Sequence, residues 1–164
     1  MLGLLIRVSE DELKRFQKNS NLFDEKLTDK YYKQEWYLDL NKAWEGIHYL
    51  LTGESFTEST GKPTVLGRAF FSFQILDKGK ALGFDSPHFL NAKQVKETSD
   101  ELQNLTEEDV RKRLNPKEMM EKEIYPEVWD DPEAIDYIVD TFEELREFYI
   151  VAAELDQAVL TLLR

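Results

Sequence analysis

His48 is one of two histidines in a chain of 164 residues, and imidazole is the side chain whose ordinary pKa lets it exchange a proton near neutrality. Glu45 stands three residues before it and Asn41 four residues before that. On a helix, Asn41, Glu45, His48 and Thr52 make one polar stripe, so Glu45 would hold or polarise the ring and Asn41 would steer a substrate. The chemistry would be general acid or base catalysis. The same spacing also describes a structural histidine that donates to a backbone carbonyl or stacks on Trp44. The second histidine, His88, follows Pro87 just before a helix that Asn91 and Gln94 would cap. The free N–H groups of Ala92, Lys93 and Gln94 could receive an anion there, unless Asn91 already fills that place. Neither histidine belongs to a spaced ligand pair such as His-Glu-x-x-His, and there is no cysteine. The sequence therefore implies no metal and no cofactor.

A helix over Asp39 to Gly53 must position these groups. Leu40, Ala43, Trp44, Ile47, Leu50 and Leu51 repeat at the spacing that buries one stripe, with Asp39 as N-cap and Gly53 just past the end. Before it, Leu2 to Val8 reads as a strand and Ser9 with Glu12 as a capping box opening a short helix that turns Leu13 and Phe16 inward. Residues 19–33 are polar with scattered Leu22, Phe23, Leu27, Tyr31 and Tyr32, which suits loop and a helical turn. The polar run 52–64 is long enough for a lid over the histidine. Val65 to Leu76 reads as a strand because Phe71, Phe73 and Ile75 alternate, and residues 77–80 turn the chain.

Asn91 with Gln94, Thr106 with Asp109, Pro116, and Asp131 with Pro132 each mark a helix start. The helix from Pro132 is the longest: Ile135, Ile138, Phe142, Leu145, Tyr149 and Ala152 recur every three or four residues, while Asp136, Asp140, Glu143, Glu144 and Glu147 cover other faces. Tyr125, Pro126 and Trp129 would form either an aromatic shelf for a ligand or partner or a plug at the core edge between two helices. No Gly-x-Ser-x-Gly elbow, dinucleotide fingerprint or kinase signature is present.

Leu38-Asp39, Lys42, Trp44, His48 and Leu50-Leu51-Thr52-Gly53 resemble the Trp-His helix signature of the YfbM-like family, a bacterial domain of unknown function. Gly83-Phe84-Asp85-Ser86-Pro87 with Leu90 and Val95 is similar to that family's second motif, with Asp85 where glycine is usual and His88 where a small or basic residue is common. Tyr125-Pro126 with Trp129 is similar to its third. The resemblance spans most of the chain and implies that residues 1–164 form one such domain. It also implies a last strand at Ala158 to Leu163, a segment whose pattern alone would also allow helix. The expected fold is a single α+β domain: a small β-sheet covered by several α-helices, with a long amphipathic helix near the C-terminus.

Charge supplies the remaining functional signal. The chain carries a net charge of −12. Residues 1–99 hold 14 acidic and 14 basic side chains, whereas residues 100–147 hold 17 acidic against 6 basic. A field of that sign repels nucleic-acid phosphate and anionic lipid and attracts basic proteins or cations. The N-terminal residues run from Leu2 straight into Arg7 and a charged helix, without a signal-peptide pattern, so a cytoplasmic protein is expected. The leading expectation is a non-catalytic interaction domain meeting a basic protein through Asp136, Asp140, Glu143 and Glu147. Toxin neutralisation by an immunity-type protein is one concrete form of it. The competing expectation is a small enzyme or ligand binder with its site around Trp44, Glu45 and His48, and a third is mimicry of nucleic acid by the acidic helices.

Overall fold

In this computed structural model, residues 1–23, 35–59, 62–77 and 86–164 are described. The expectations for Leu27, Tyr31 and Tyr32, for Gly61, for the turn at 78–80 and for Gly83 to Asp85 of the loop motif lie outside these residues. The element order is β1 (Gly3–Val8), α1 (Glu10–Lys18), β2 (Tyr37–Asn41), α2 (Trp44–Thr52), β3 (His88–Leu90), α3 (Ala92–Gln103), α4 (Glu107–Arg113), α5 (Pro116–Glu121), α6 (Pro132–Glu154) and β4 (Ala158–Leu163). Single 3-10 turns lie at Phe56–Glu58 and Gly67–Ala69.

β1 and β4 are buried at every position, which is why both are apolar almost throughout instead of alternating with polar residues. They form the centre of one antiparallel sheet of order β2-β1-β4-β3. The pairing runs to both ends of the chain, where the Leu2 N–H donates to the Arg164 carbonyl at 2.6 Å and the Arg164 N–H to the Leu2 carbonyl at 2.9 Å. Strand alternation divides the core in two. Leu5, Leu40, Leu90, Val159 and Leu163 face α2, α3 and α6. Leu4, Ile6, Val8, Leu160 and Leu162 face Leu13 and Phe16 of α1, together with Phe23 and Leu76. The fold is α+β, a four-stranded sheet between helices.

The helix starts fall where their caps were expected. Ser9 with Glu12, Asn91 with Gln94 and Thr106 with Asp109 close capping boxes, Asn115 caps Pro116, and the Asp131 side chain accepts from the Glu133 N–H. α6 buries Ile138, Phe142, Leu145, Tyr149 and Ala152 as the spacing implied. It also buries Ala134, Val139, Thr141 and Phe148.

Two expectations are corrected. Asp39 does not begin a helix, because residues 37–41 form β2 against β1. Its side chain accepts from the Asn41 N–H at 2.7 Å, a turn at a strand end rather than a helix cap. Asn41 then takes a positive φ of 51°, the Ala43 N–H closes a turn on the Leu40 carbonyl at 2.9 Å, and α2 starts at Trp44. Residues 65–76 are likewise no regular strand: a 3-10 turn occupies Gly67–Ala69, Phe73 has a positive φ of 57°, and the segment meets β3 through one bridge, Ile75 to His88. The alternating phenylalanines serve different neighbours, not one sheet face.

α2 ends as expected at Gly53, whose φ of 75° is left-handed. Its middle is fixed by another glycine. A Cβ on Gly46 would stand 2.6 Å from Trp129 Cη2 and 2.7 Å from Ile138 Cδ1, so only a hydrogen lets α2 approach the Trp129 ring and α6. Gly46→Ala gains about 1 kcal/mol of helix propensity against roughly 1–3 kcal/mol of overpacking or more at so short a contact. Thermal unfolding should show a midpoint lowered by about 2–6 °C; an unchanged or raised midpoint would contradict this packing.

Candidate functional site

The Glu45 and His48 face of α2 is inside the protein. Trp44 lies among Phe56, Phe70, Phe71 and Tyr125, with ring centroids 5.8–6.3 Å away. Glu45 is 8% exposed and His48 2%. Asn41 is exposed on β2 rather than one turn before Glu45 on a shared helix, so the three residues form no common stripe.

Glu45 does not touch the imidazole in any bonded sense. Its Oε1 accepts from the Phe56 N–H at 3.0 Å and its Oε2 from the Tyr125 N–H at 3.0 Å. A carboxylate bound by two backbone donors is a clamp between chain segments. The partner of His48 is instead Ser59, whose Oγ lies 2.8 Å from Nε2. Ser59 also directs its hydroxyl to the Ser55 carbonyl at 3.5 Å. With Nε2–H donating to Ser59, that relay is satisfied and Nδ1 is left as an acceptor without a hydrogen-bond partner. The reverse tautomer, needed for His48 to take a proton from Ser59, would leave a buried Nδ1–H donor unpaired and without an orienting carboxylate. The geometry is that of a neutral histidine. Burial agrees, holding the His48 pKa down at about 4.

His88 lies in β3, three residues before the Asn91 cap of α3. Its ring packs 5.6 Å from Phe71 and 5.8 Å from Phe73, while His48 packs 5.4 Å from the same Phe71. One phenylalanine thus lies against both histidines. Burial lowers the His88 pKa to about 4 as well. The anion place at α3 is filled from within: Asn91 Oδ1 accepts the Gln94 N–H at 2.9 Å, and the Glu10 carboxylate accepts the Ala92 N–H. No group of three or more histidine or carboxylate side chains suited to a metal occurs among the described residues.

Trp129 is 1% exposed, and its indole N–H donates to the Ile124 carbonyl at 2.6 Å, so it plugs the core beside Gly46. Tyr125 is half-buried on Trp44. Neither forms an exposed shelf.

The acidic residues divide by use. Glu107, Glu108 and Asp109 occupy the first turn of α4, where negative charge meets the helix dipole. Asp136 pairs with Arg111 at 2.9 Å and Glu143 with Arg146. Asp140, Glu144 and Glu147 are exposed on α6. Glu143, Glu144 and Glu147, with Glu35, rim an open groove of about 470 Å³ floored by Leu38, Phe148 and Val151. Arg7 also lines it, 7% exposed, with its guanidinium 5.3 Å from the Phe148 ring. It donates through Nη2 to the Glu35 carbonyl, while Nε and Nη1 have no hydrogen-bond partner. A second, tighter cavity of about 140 Å³ lies beside His48 and Ser59. Sequence reasoning missed Ser59, Arg7 and Glu35. Ser55 with Glu58 repeats the Ser-x-x-Glu box, and the Ser55 N–H does donate to Glu58 at 2.9 Å, so the turn that presents Ser59 had a readable signal. Arg7 and Glu35 had none.

The family of a domain of unknown function, DUF1877, matches residues 1–162. The chain belongs to this DUF1877 family. A crystal structure of a protein of unknown function, YfbM from Escherichia coli, is similar over 98% of both chains, with a TM-score of 0.77 and 22% identity. That likeness shows a shared fold. No curated protein matches the chain. Membership thus gives this DUF1877 domain an architecture and no activity, and no helix among its described residues is long and apolar enough to cross a membrane.

Two measurements check the site. Glu45→Ala leaves the Phe56 and Tyr125 N–H groups unpaired and should cost about 2–4 kcal/mol in urea unfolding. Glu45→Gln, which keeps one acceptor, should cost less; equal stability of all three proteins would remove the clamp. The histidines set a pH dependence. With pKa about 4 folded and 6.5 as the ordinary value, the unfolded chain binds more protons between those limits. Stability is then full above about pH 6.5 and falls as pH drops. Going from pH 7 to 5 should cost about 2 kcal/mol per histidine, and His48→Gln should remove about half of that slope.

Proposed function

We propose that this domain is a non-catalytic protein-interaction module that receives a basic partner in the groove beside α6. The observation that carries this reading is the groove itself: four carboxylates, from Glu35, Glu143, Glu144 and Glu147, around a floor of Leu38, Phe148 and Val151. Lysine and arginine side chains match that pattern, since their stems cover apolar surface while their heads reach carboxylates. Asp136 and Asp140 extend the acidic side of α6 and would steer approach more than they hold the complex. Neutralisation of a basic toxin, as an immunity-type protein in the cytoplasm, is one form of this proposal.

The enzyme form of the competing reading has less support, because Glu45 is engaged by backbone donors and His48 lacks an orienting acid. Ligand binding beside His48 does not need either.

The interaction reading is tested with a synthetic peptide alternating lysine and leucine, titrated calorimetrically against the full chain. Glu144→Lys with Glu147→Lys should weaken binding by about tenfold or more, about 1.4 kcal/mol. Glu101→Lys with Asp130→Lys, exposed positions that do not line the groove, change net charge equally and should weaken it far less. Equal weakening by both pairs would reduce the effect to net charge and overturn the groove.

A further inference from the structure

The segment that follows α2 is held by bonds more than by burial. The 3-10 turn Phe56–Glu58 has no buried residue, whereas β1 and β4 are buried at every position and α6 buries nine residues. A segment with so little burial opens locally at a lower free energy than the whole domain. Side chains from elsewhere in the chain hold residues 54–59 at three places. Glu45 Oε1 accepts the Phe56 N–H at 3.0 Å, Lys122 Nζ donates to the two Glu58 carboxylate oxygens at 3.0 and 2.9 Å, and His48 Nε2 lies 2.8 Å from Ser59 Oγ. Each of these bonds rests on an ionisable group. At the end of the segment, a cavity of about 140 Å³ with Glu54 and Ser59 among its walls leaves it loosely packed.

His48 couples this segment to pH. The ring is 2% exposed, and two residues of the segment lie against it, Ser59 through Oγ and Phe56 with its ring centroid 6.4 Å away. The titratable or charged groups on the elements packed around it are Glu45 and Tyr49 of α2, Glu54 and Glu58 of the segment, Lys62, Arg68, His88 and Lys122. Among the described residues none of them hydrogen-bonds the imidazole. Glu45 holds the Phe56 and Tyr125 N–H groups, Tyr49 engages Glu118, and Arg68 holds Thr98 and Glu97. Lys122 holds Glu58 and feels Glu54, Lys62 lines the cavity, and His88 packs on Phe71. With the segment in place, an imidazolium would be a buried charge without a bonded counter-ion, and burial holds its pKa at about 4. With the segment lifted away, the ring meets water and titrates near its ordinary value of 6.5. Opening therefore takes up one proton between those limits.

We infer that residues 54–59 form an acid-released strap, which leaves α2 when His48 takes up a proton while the sheet and α6 stay folded. This does not rest on the interaction reading. The closed form is fully favoured above about pH 6.5, and the open population grows about tenfold for each unit of pH lost, down to about pH 4. A protonated His48 still donates Nε2–H to Ser59, so relief of a buried charge drives the release, not loss of that bond. Glu58 adds to it at lower pH. Lys122 holds its carboxyl below the ordinary carboxylate range, and protonation there frees the lysine. Release uncovers Trp44 and Phe71, on which the Phe56 ring packs with centroids 6.1 and 4.3 Å away.

The test is amide hydrogen exchange of the full chain from about pH 7 to about pH 4.5, corrected for the intrinsic exchange rate at each pH. The Phe56 N–H, bonded to Glu45, and the Ser59 N–H, bonded to the Phe56 carbonyl at 3.2 Å, report on the strap; the amides of β1 and β4 report on global unfolding. The opening constant at Phe56 and Ser59 should exceed that of β1 and β4 at every pH and rise about tenfold per unit below about pH 6.5. His48→Gln should flatten the rise at the strap, and His88→Gln should keep it. Lys122→Met, which retains both histidines, should raise the opening constant by about two- to fivefold at neutral pH and leave the slope unchanged. Exchange of the strap in one unit with β1 and β4 overturns the inference, as does an opening constant that does not change with pH. A rise that persists in His48→Gln, or is lost in His88→Gln or Lys122→Met, assigns the proton to another group and overturns it too.

Discussion

The carboxylate of Glu45 joins three stretches of chain that lie far apart in sequence. It projects from the first turn of α2, and its two oxygens accept the N–H groups of Phe56 and Tyr125. Phe56 begins the turn that delivers Ser59 to His48, so the histidine's partner is set by a bond made one helical turn away. Tyr125 is brought over Trp44, with ring centroids 5.9 Å apart, which closes the aromatic cluster. A buried charge normally costs more than it returns, and two backbone donors are what make this one tolerable. The Gly46 contact with Trp129 adds a steric limit at the next position. Between them, Glu45 and Gly46 fix where the chain after α2 and the turn before α6 must lie.

This arrangement changes the meaning of the polar residues on α2. A glutamate and a histidine three residues apart suggest an acid–base pair, yet each is bonded elsewhere. The imidazole is neutral, held by a serine and set between aromatic rings. Beside the imidazole lies a small cavity whose walls include Glu54 and Lys62.

Charge needs the same distinction between amount and use. The excess of acid in residues 100–147 is partly a requirement of helix building, since that stretch starts three helices, at α4, α5 and α6, and negative side chains stabilise helix N-termini. The carboxylates of Asp136 and Glu143 have arginine partners. Along α6, Glu144 and Glu147 stand beside an apolar strip that also contains Leu38 from β2 and Arg7 from β1. A surface of that composition takes residues from three elements, and its acidic component alone is visible in the order of the chain.

The sequence by itself determined the local features. Capping boxes at Ser9, Asn91 and Thr106, the Asp131-Pro132 start of α6, the left-handed stop at Gly53 and the apolar first strand all depend on residues within a few positions of one another, where steric and hydrogen-bonding preferences act directly, whereas the pattern of Ala158 to Leu163 alone also allows helix. The start of α2 was misread because Leu40 fits the helical period with Ala43, Trp44 and Ile47 as well as the two-residue period with Leu38, and only pairing with β1 chooses between them. Residues 65–76 were misread because burial makes a run of phenylalanines alternate without a sheet. Tertiary structure alone decided that Glu45 faces Phe56 and Tyr125, that Ser59 meets His48, that both histidines flank Phe71, and that Arg7 lies in a groove with Glu35 and α6. Each of these joins residues across the fold, and such contacts are set by how whole elements pack, which no local pattern records.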